Sequence, residues 1–209
     1  ALDRALAPGA PDSDLRHKPV LFIARHPCDI AVSWFFQFTK RQSRHKQELI
    51  NHFIDHPIDR KTVEMWDFVR HSDIGIECLV EFLNAWERRI RPLRQGRIIR
   101  YEDMRSEPAQ ALHTIFDFMG TPGTQAQIQD AVDYAAYENM KKLEEKNAFR
   151  SSGARLVPGK KGDPNTYKVR RAKVGGYRDY FDDGQLAQID AMVEQTMLPD
   201  FGYGGKAGT

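Results

Sequence analysis

The stretch that most constrains this chain is VLFIARHPCDIAVSWFFQF, Val20 to Phe38. Pro19 to Ala24 is a short apolar run without polar alternation, the pattern of a strand buried on both faces in a parallel sheet. Arg25-His26-Pro27 ends it. Pro27 suits the first turn of a helix, where its missing N–H is not needed, and Asp29 complements the positive end of that helix. Strand, tight turn and helix together place backbone N–H groups beside a ligand at the carboxyl end of a sheet.

The same alternation recurs downstream. After charged, irregular residues 40–75, with short helical pieces, Gly75 precedes an amphipathic helix carrying Ile76, Leu79, Val80, Leu83 and Ile90 on one face. Arg97 to Tyr101 reads as a second strand. Ser106 and Pro108 open a helix with Leu112, Ile115, Phe116 and Met119 as its apolar stripe and Gly120 as its stop. Ile128, Ala131, Val132 and Ala135 mark another helix. Residues 141–180 lack periodicity and read as a long functional loop, and Leu186, Ile189 and Val193 define a last helix that Pro199 ends. At 209 residues this is one α/β domain with a single core.

Charge is unevenly spread. Lys141 to Arg178 holds twelve Lys or Arg against three Asp or Glu, a local +9 in a chain of net +2, so the remainder carries −7. Such polarity suits an anionic ligand near one segment, or a solvated basic loop. No apolar run approaches the ~20 residues of a membrane span. Cys28 and Cys78 form no CxxC, which argues against a disulfide scaffold or a thiolate zinc site and favours a reducing, cytoplasmic setting. His52 and His56 stand at metal-pair spacing near Asp55 and Asp59, but Pro57 ends any helix there, and no metal is expected.

At the strand end the guanidinium of Arg25 can fork onto a phosphate or carboxylate, and Ser33 lies two turns along the helix. Taken alone, Arg25 also reads as an ion-pair partner of Asp29, and Ser33 as a small residue in a packed helix. The spacing ARHPCDIAVSWFFQF resembles the 3′-phosphate-binding motif of sulfotransferases that use PAPS (3′-phosphoadenosine 5′-phosphosulfate). Three further segments are similar to that family, in family order. RIIRYEDMRSEPAQALHTIFDFMG matches its strand, Tyr-Glu-Asp turn and helix. AAYENMKKLEEKNAF matches the segment whose aromatic residue packs on the adenine. KVRRAKVGGYRDYF matches its basic loop, usually Arg-Lys-Gly then Gly-Asp-Trp.

The resemblance implies PAPS as co-substrate, held by Arg25, Ser33, Tyr101, Tyr137, Arg170, Arg171 and Ala172, with Glu102 and Asp103 holding the turn. Ala172 stands where the family has Gly, and tolerates fewer φ values. It implies a P-loop-NTPase-like three-layer fold, a central parallel sheet flanked by helices, and sulfuryl transfer to a hydroxyl or amine acceptor. The style of DIGIECLVEFLNAWERR is similar to bacterial members. The acceptor could be a small molecule, glycan or lipid, contacted through residues 40–75 and 145–168, and RDYFDDGQLAQID leaves the oligomeric state open.

The family's Pro-Lys-Ser-Gly-Thr-type phosphosulfate loop and its catalytic base have no counterpart in these residues. The expectation is therefore a domain incomplete at its N-terminus, residues 1–18 being a polar lead-in and 141–180 a donor-covering loop, with no catalytic residue assigned. Two alternatives stand beside this reading. One is a nucleic-acid-binding module using the basic segment with Phe149, Tyr167 and Tyr177. The other is a phosphate-handling α/β enzyme such as a kinase, although no GxxxxGK is present.

Overall fold

A computed structural model describes residues 15, 17–149, 151, 156–160 and 162–203. Most of the 1–18 lead-in, and parts of the basic segment, thus lie outside the described residues. Strand β1 (Val20–Ala24) pairs in parallel with β2 (Gly96–Arg100), Val20 opposite Gly96 and Ala24 opposite Arg100. The connection between them carries α1 (Pro27–Phe36), a π-helical turn (Gln37–Arg41), α2 (Arg44–Phe53), α3 (Met65–Val69) and α4 (Ile76–Ile90). After β2 come α5 (Tyr101–Ser106), α6 (Pro108–Met119), α7 (Gln125–Ala135), α8 (Tyr137–Glu145) and α9 (Asp183–Thr196).

The core lies where α1, α4 and α9 meet the sheet. Cys28, Ala31, Val32 and Phe36 of α1 pack with Ile76, Val80 and Leu83 of α4 and Ile189 and Val193 of α9. Gly75 begins α4 because a Cβ there would stand 2.5 Å from the carbonyl oxygens of Val69 and His71. Gly120 ends α6 at φ 70°, the left-handed conformation that favours glycine at a helix terminus. Asn84 joins α4 to the end of α9, donating to Thr196 O at 2.7 Å and accepting from Leu198 N–H at 2.9 Å.

Several expectations change. Strand β1 is not buried on both faces: Ala24 is fully buried but Ile23 is 50% exposed. The second strand ends at Arg100, and Tyr101 starts α5. The first helix gives way at Gln37 to the π turn, the chain is extended at Gln42, and Ser43 caps α2. Helix α8 extends to Glu145, into the segment expected to be loop. The stripe on α6 is not core either. No residue of α6 is buried, and Met119 is 55% exposed. His52 and His56 do not share a helix face, since α2 stops at Phe53, and His56 Nδ1 lies 3.6 Å from Asp73.

Candidate functional site

A cleft of about 690 Å³ opens at the carboxyl ends of the two strands. Arg25, Ser33, Tyr101, Tyr137, Arg170, Arg171 and Ala172 all line it. Its apolar wall is built from Met104, Leu112 and Ile115, with Val132 and Met140 from the helices beyond. Two of the four periodic positions of α6, Leu112 and Ile115, thus face a cavity.

Arg25 is placed by the end of β1, and its guanidinium lies 4.5 Å from the Tyr101 ring centroid. One Nη donates to Lys173 O at 3.3 Å and lies 3.4 Å from Asp29. Its Nε is buried and has no hydrogen-bond partner among the described residues. The side chain as a whole keeps 26% of its surface exposed, so part of the guanidinium stays open to an acceptor entering the cleft. On the far wall, Arg170 rests over Phe36, 4.1 Å from its centroid, and donates to the Tyr180 hydroxyl. Arg171 and Lys173 both pair with Asp179, Lys173 at 2.7 Å. Ala172 takes φ 48°. An alanine therefore occupies the left-handed conformation despite its Cβ, at a cost of roughly 1–2 kcal/mol.

Asp29 does more than complement a helix end. It is 3% exposed, and its carboxylate accepts Gly175 N–H at 2.9 Å and Tyr177 N–H at 3.0 Å, tying the basic loop to α1. Tyr177 is buried and donates to Asp190 at 2.7 Å. Glu102 joins the two strand ends, accepting His26 N–H at 3.0 Å and the Tyr203 hydroxyl at 2.6 Å. Asp103 is exposed, so the two adjacent carboxylates do not act as a pair. Tyr167 and Tyr177 are 8% and 2% exposed. Neither can offer a ring face to a nucleic-acid base, which leaves Phe149, half-buried, as the one aromatic of the three named for that reading with exposed surface.

His26 caps α1: its Nδ1 accepts Cys28 N–H at 3.3 Å, and its ring stacks on Tyr177 with centroids 5.1 Å apart. Burial holds the imidazole below its ordinary 6.5, against the opposing charges of Asp29, Glu102 and Asp190. Between that lowered value and 6.5 the unfolded chain takes up a proton that the folded chain refuses. Stability is thus complete above the window and is lost as pH falls through it. His26→Asn keeps a capping acceptor that does not titrate. In a melting series taken from neutral pH down through the window, the wild type should lose more stability than this variant. Equal slopes would remove His26 as the cause.

Lys168 and Lys173, which also line the cleft, were not singled out from sequence, although they stand in the same basic run. Asp29 was legible as a helix-end charge and an ion-pair partner of Arg25, not as the acceptor of the Gly175 and Tyr177 amides.

Comparison with known proteins finds relatives both in sequence and in fold. The family model described as Sulfotransferase domain matches residues 13–199. Cytosolic sulfotransferase 5 of Arabidopsis thaliana is 22% identical over 183 residues, covering 85% of this chain and 51% of the relative. Flavonol 4′-sulfotransferase of Flaveria chlorifolia is 24% identical over 104 residues, covering 47% of this chain and 31% of the relative. The chain thus spans about half, or less, of the length of the curated relatives it matches. Among solved structures, mouse sulfotransferase SULT7A1 complexed with PAP superposes with a TM-score of 0.61 at 18% identity, over 88% of this chain and 59% of that one. Retinol dehydratase in complex with androsterone and PAP gives 0.59 at 21%, over 84% and 46%. These are likenesses of fold. Relatives from plants and mouse lend no support to a bacterial-type assignment. Among the described residues no helix is long and apolar enough to cross a membrane.

Proposed function

Because this chain belongs to the sulfotransferase domain family, we propose that its cleft holds the adenosine 3′-phosphate half of PAPS, and that the protein moves the sulfuryl group to an acceptor hydroxyl. The observation that carries this reading is the convergence of Arg25, Ser33, Arg170 and Arg171 on one cleft that also has an apolar and aromatic wall. The cationic groups suit a phosphate, and the rings of Tyr101 and Tyr137 suit a purine. The partly exposed guanidinium of Arg25 is a donor open to a phosphate oxygen. Ser33 adds a neutral donor, and Ala172 lets the loop turn between Arg171 and Lys173.

Sulfuryl transfer also needs charge stabilisation at the leaving phosphate and a base for the acceptor. We assign neither role to a residue of this chain. A small molecule bearing a hydroxyl is the acceptor class closest to the relatives' names, and glycan and lipid hydroxyls belong in the same test panel. A cytoplasmic location is part of the proposal, supported by the cytosolic sulfotransferase among the relatives.

Retention on PAP-agarose, with release by free PAP and not by AMP, is the expected result. Label from radioactive PAPS should then appear on at least one hydroxyl acceptor when the full-length protein is assayed. Release by AMP and PAP alike would overturn the donor-site assignment.

A further inference from the structure

Glu144 is an acid where an apolar residue would be expected. It sits in the last turn of α8 with 0% exposure. A carboxylate removed from water is strongly unfavourable unless donors meet its lone pairs. Here two donors do. One oxygen accepts Lys168 N–H at 2.7 Å and the other accepts Val169 N–H at 2.8 Å. The charge is thus spent on two consecutive backbone amides rather than on packing.

Those amides immediately precede Arg170 and Arg171. The neighbouring carbonyls are held as well: Arg41 donates to Tyr167 O at 2.9 Å, and the Tyr137 hydroxyl donates to Arg170 O at 3.1 Å. Four successive residues therefore have a backbone group fixed by side chains from α8 and the π turn. A carboxylate gripping two adjacent N–H groups sets the direction of the chain as well as its position, and so determines where the next two side chains project.

We propose that Glu144 is a positioning residue for the 3′-phosphate: it touches no ligand, but places Arg170 and Arg171 to receive that group. The inference rests on the donor-site reading above. Its test compares PAP with AMP, which lacks the 3′-phosphate, by calorimetry on the wild type and Glu144→Gln. The amide replaces one acceptor oxygen with an NH₂, which opposes one of the two N–H groups. PAP affinity should fall roughly tenfold, the size of one charge-assisted hydrogen bond, while AMP affinity stays unchanged. Amide exchange at Lys168 and Val169 should quicken while the α4 core amides keep their protection.

Should the Gln variant fail to fold, Glu144→Met fills a similar volume without charge and faces the same two measurements. Equal weakening of PAP and AMP, or a retained PAP preference in a folded variant, overturns the role of Glu144 alone. A wild type that does not distinguish PAP from AMP overturns the donor-site reading itself.

Discussion

Arg25→Ala is expected to weaken PAP binding by roughly 1.5–3 kcal/mol, the range for hydrogen bonds to charged groups. Two features of the site argue for a loss of that size. The guanidinium is held from one side by the Tyr101 ring and from another by Asp29, so little ordering remains to be done on binding. Its side chain still keeps 26% of its surface exposed, which leaves it open to a phosphate oxygen. The neutral donor Ser33 should matter less, with Ser33→Ala costing about 0.5–1.5 kcal/mol. Adenosine 5′-phosphosulfate, which has no 3′-phosphate, should bind equally well to wild type and both variants. Calorimetry with the two nucleotides decides the matter. Equal losses for both would indicate damage to the fold instead of a lost phosphate contact.

The second large effect is on stability. Asp29→Ala removes the acceptor for two backbone N–H groups and the counter-ion of Arg25 in one step. Removing one partner of a buried ion pair typically costs about 3–5 kcal/mol, and a loss of that order is expected in denaturant unfolding. Asp29→Asn keeps one oxygen acceptor and should fall between wild type and alanine. An alanine variant within about 1 kcal/mol of wild type, the worth of one ordinary hydrogen bond, would mean that the basic loop is held by other contacts.

The strand–turn–helix from Val20 to Phe36 and the end of α6 at Gly120 were legible in sequence because their signals are local. An apolar run, a proline after the turn and a glycine in the left-handed conformation each act within a few residues. The α6 stripe was read correctly as one face of a helix, but what lies opposite that face was not read. Periodicity shows which side chains share a face, but not whether a neighbouring element or a cavity lies opposite. Leu112 and Ile115 face a cavity. The residues assigned to the site from family resemblance do line one cleft, whereas Asp29 and Glu144 were not recognised as organisers of it. Their partners are backbone amides, which leave no residue-type signature, and they lie far off in sequence. Tyr167 and Tyr177 illustrate the converse: aromatic residues within a basic run look like a stacking surface until their burial is known.

The loop across the cleft is held at its start by one carboxylate and near its end by another. The first bond spans 24 residues and the second 146. Loop-closure entropy grows only logarithmically, about 0.6 kcal/mol per doubling, so the longer closure costs only about 1.6 kcal/mol more. At equilibrium the two closures therefore differ by little more than a factor of ten. In time they differ as well, because contacts distant in sequence form slowly. The α8 fastening can close once its own short stretch has folded, whereas the α1 fastening waits for almost everything between. A cleft built in this way reaches its final shape late in folding, after the core that supports it.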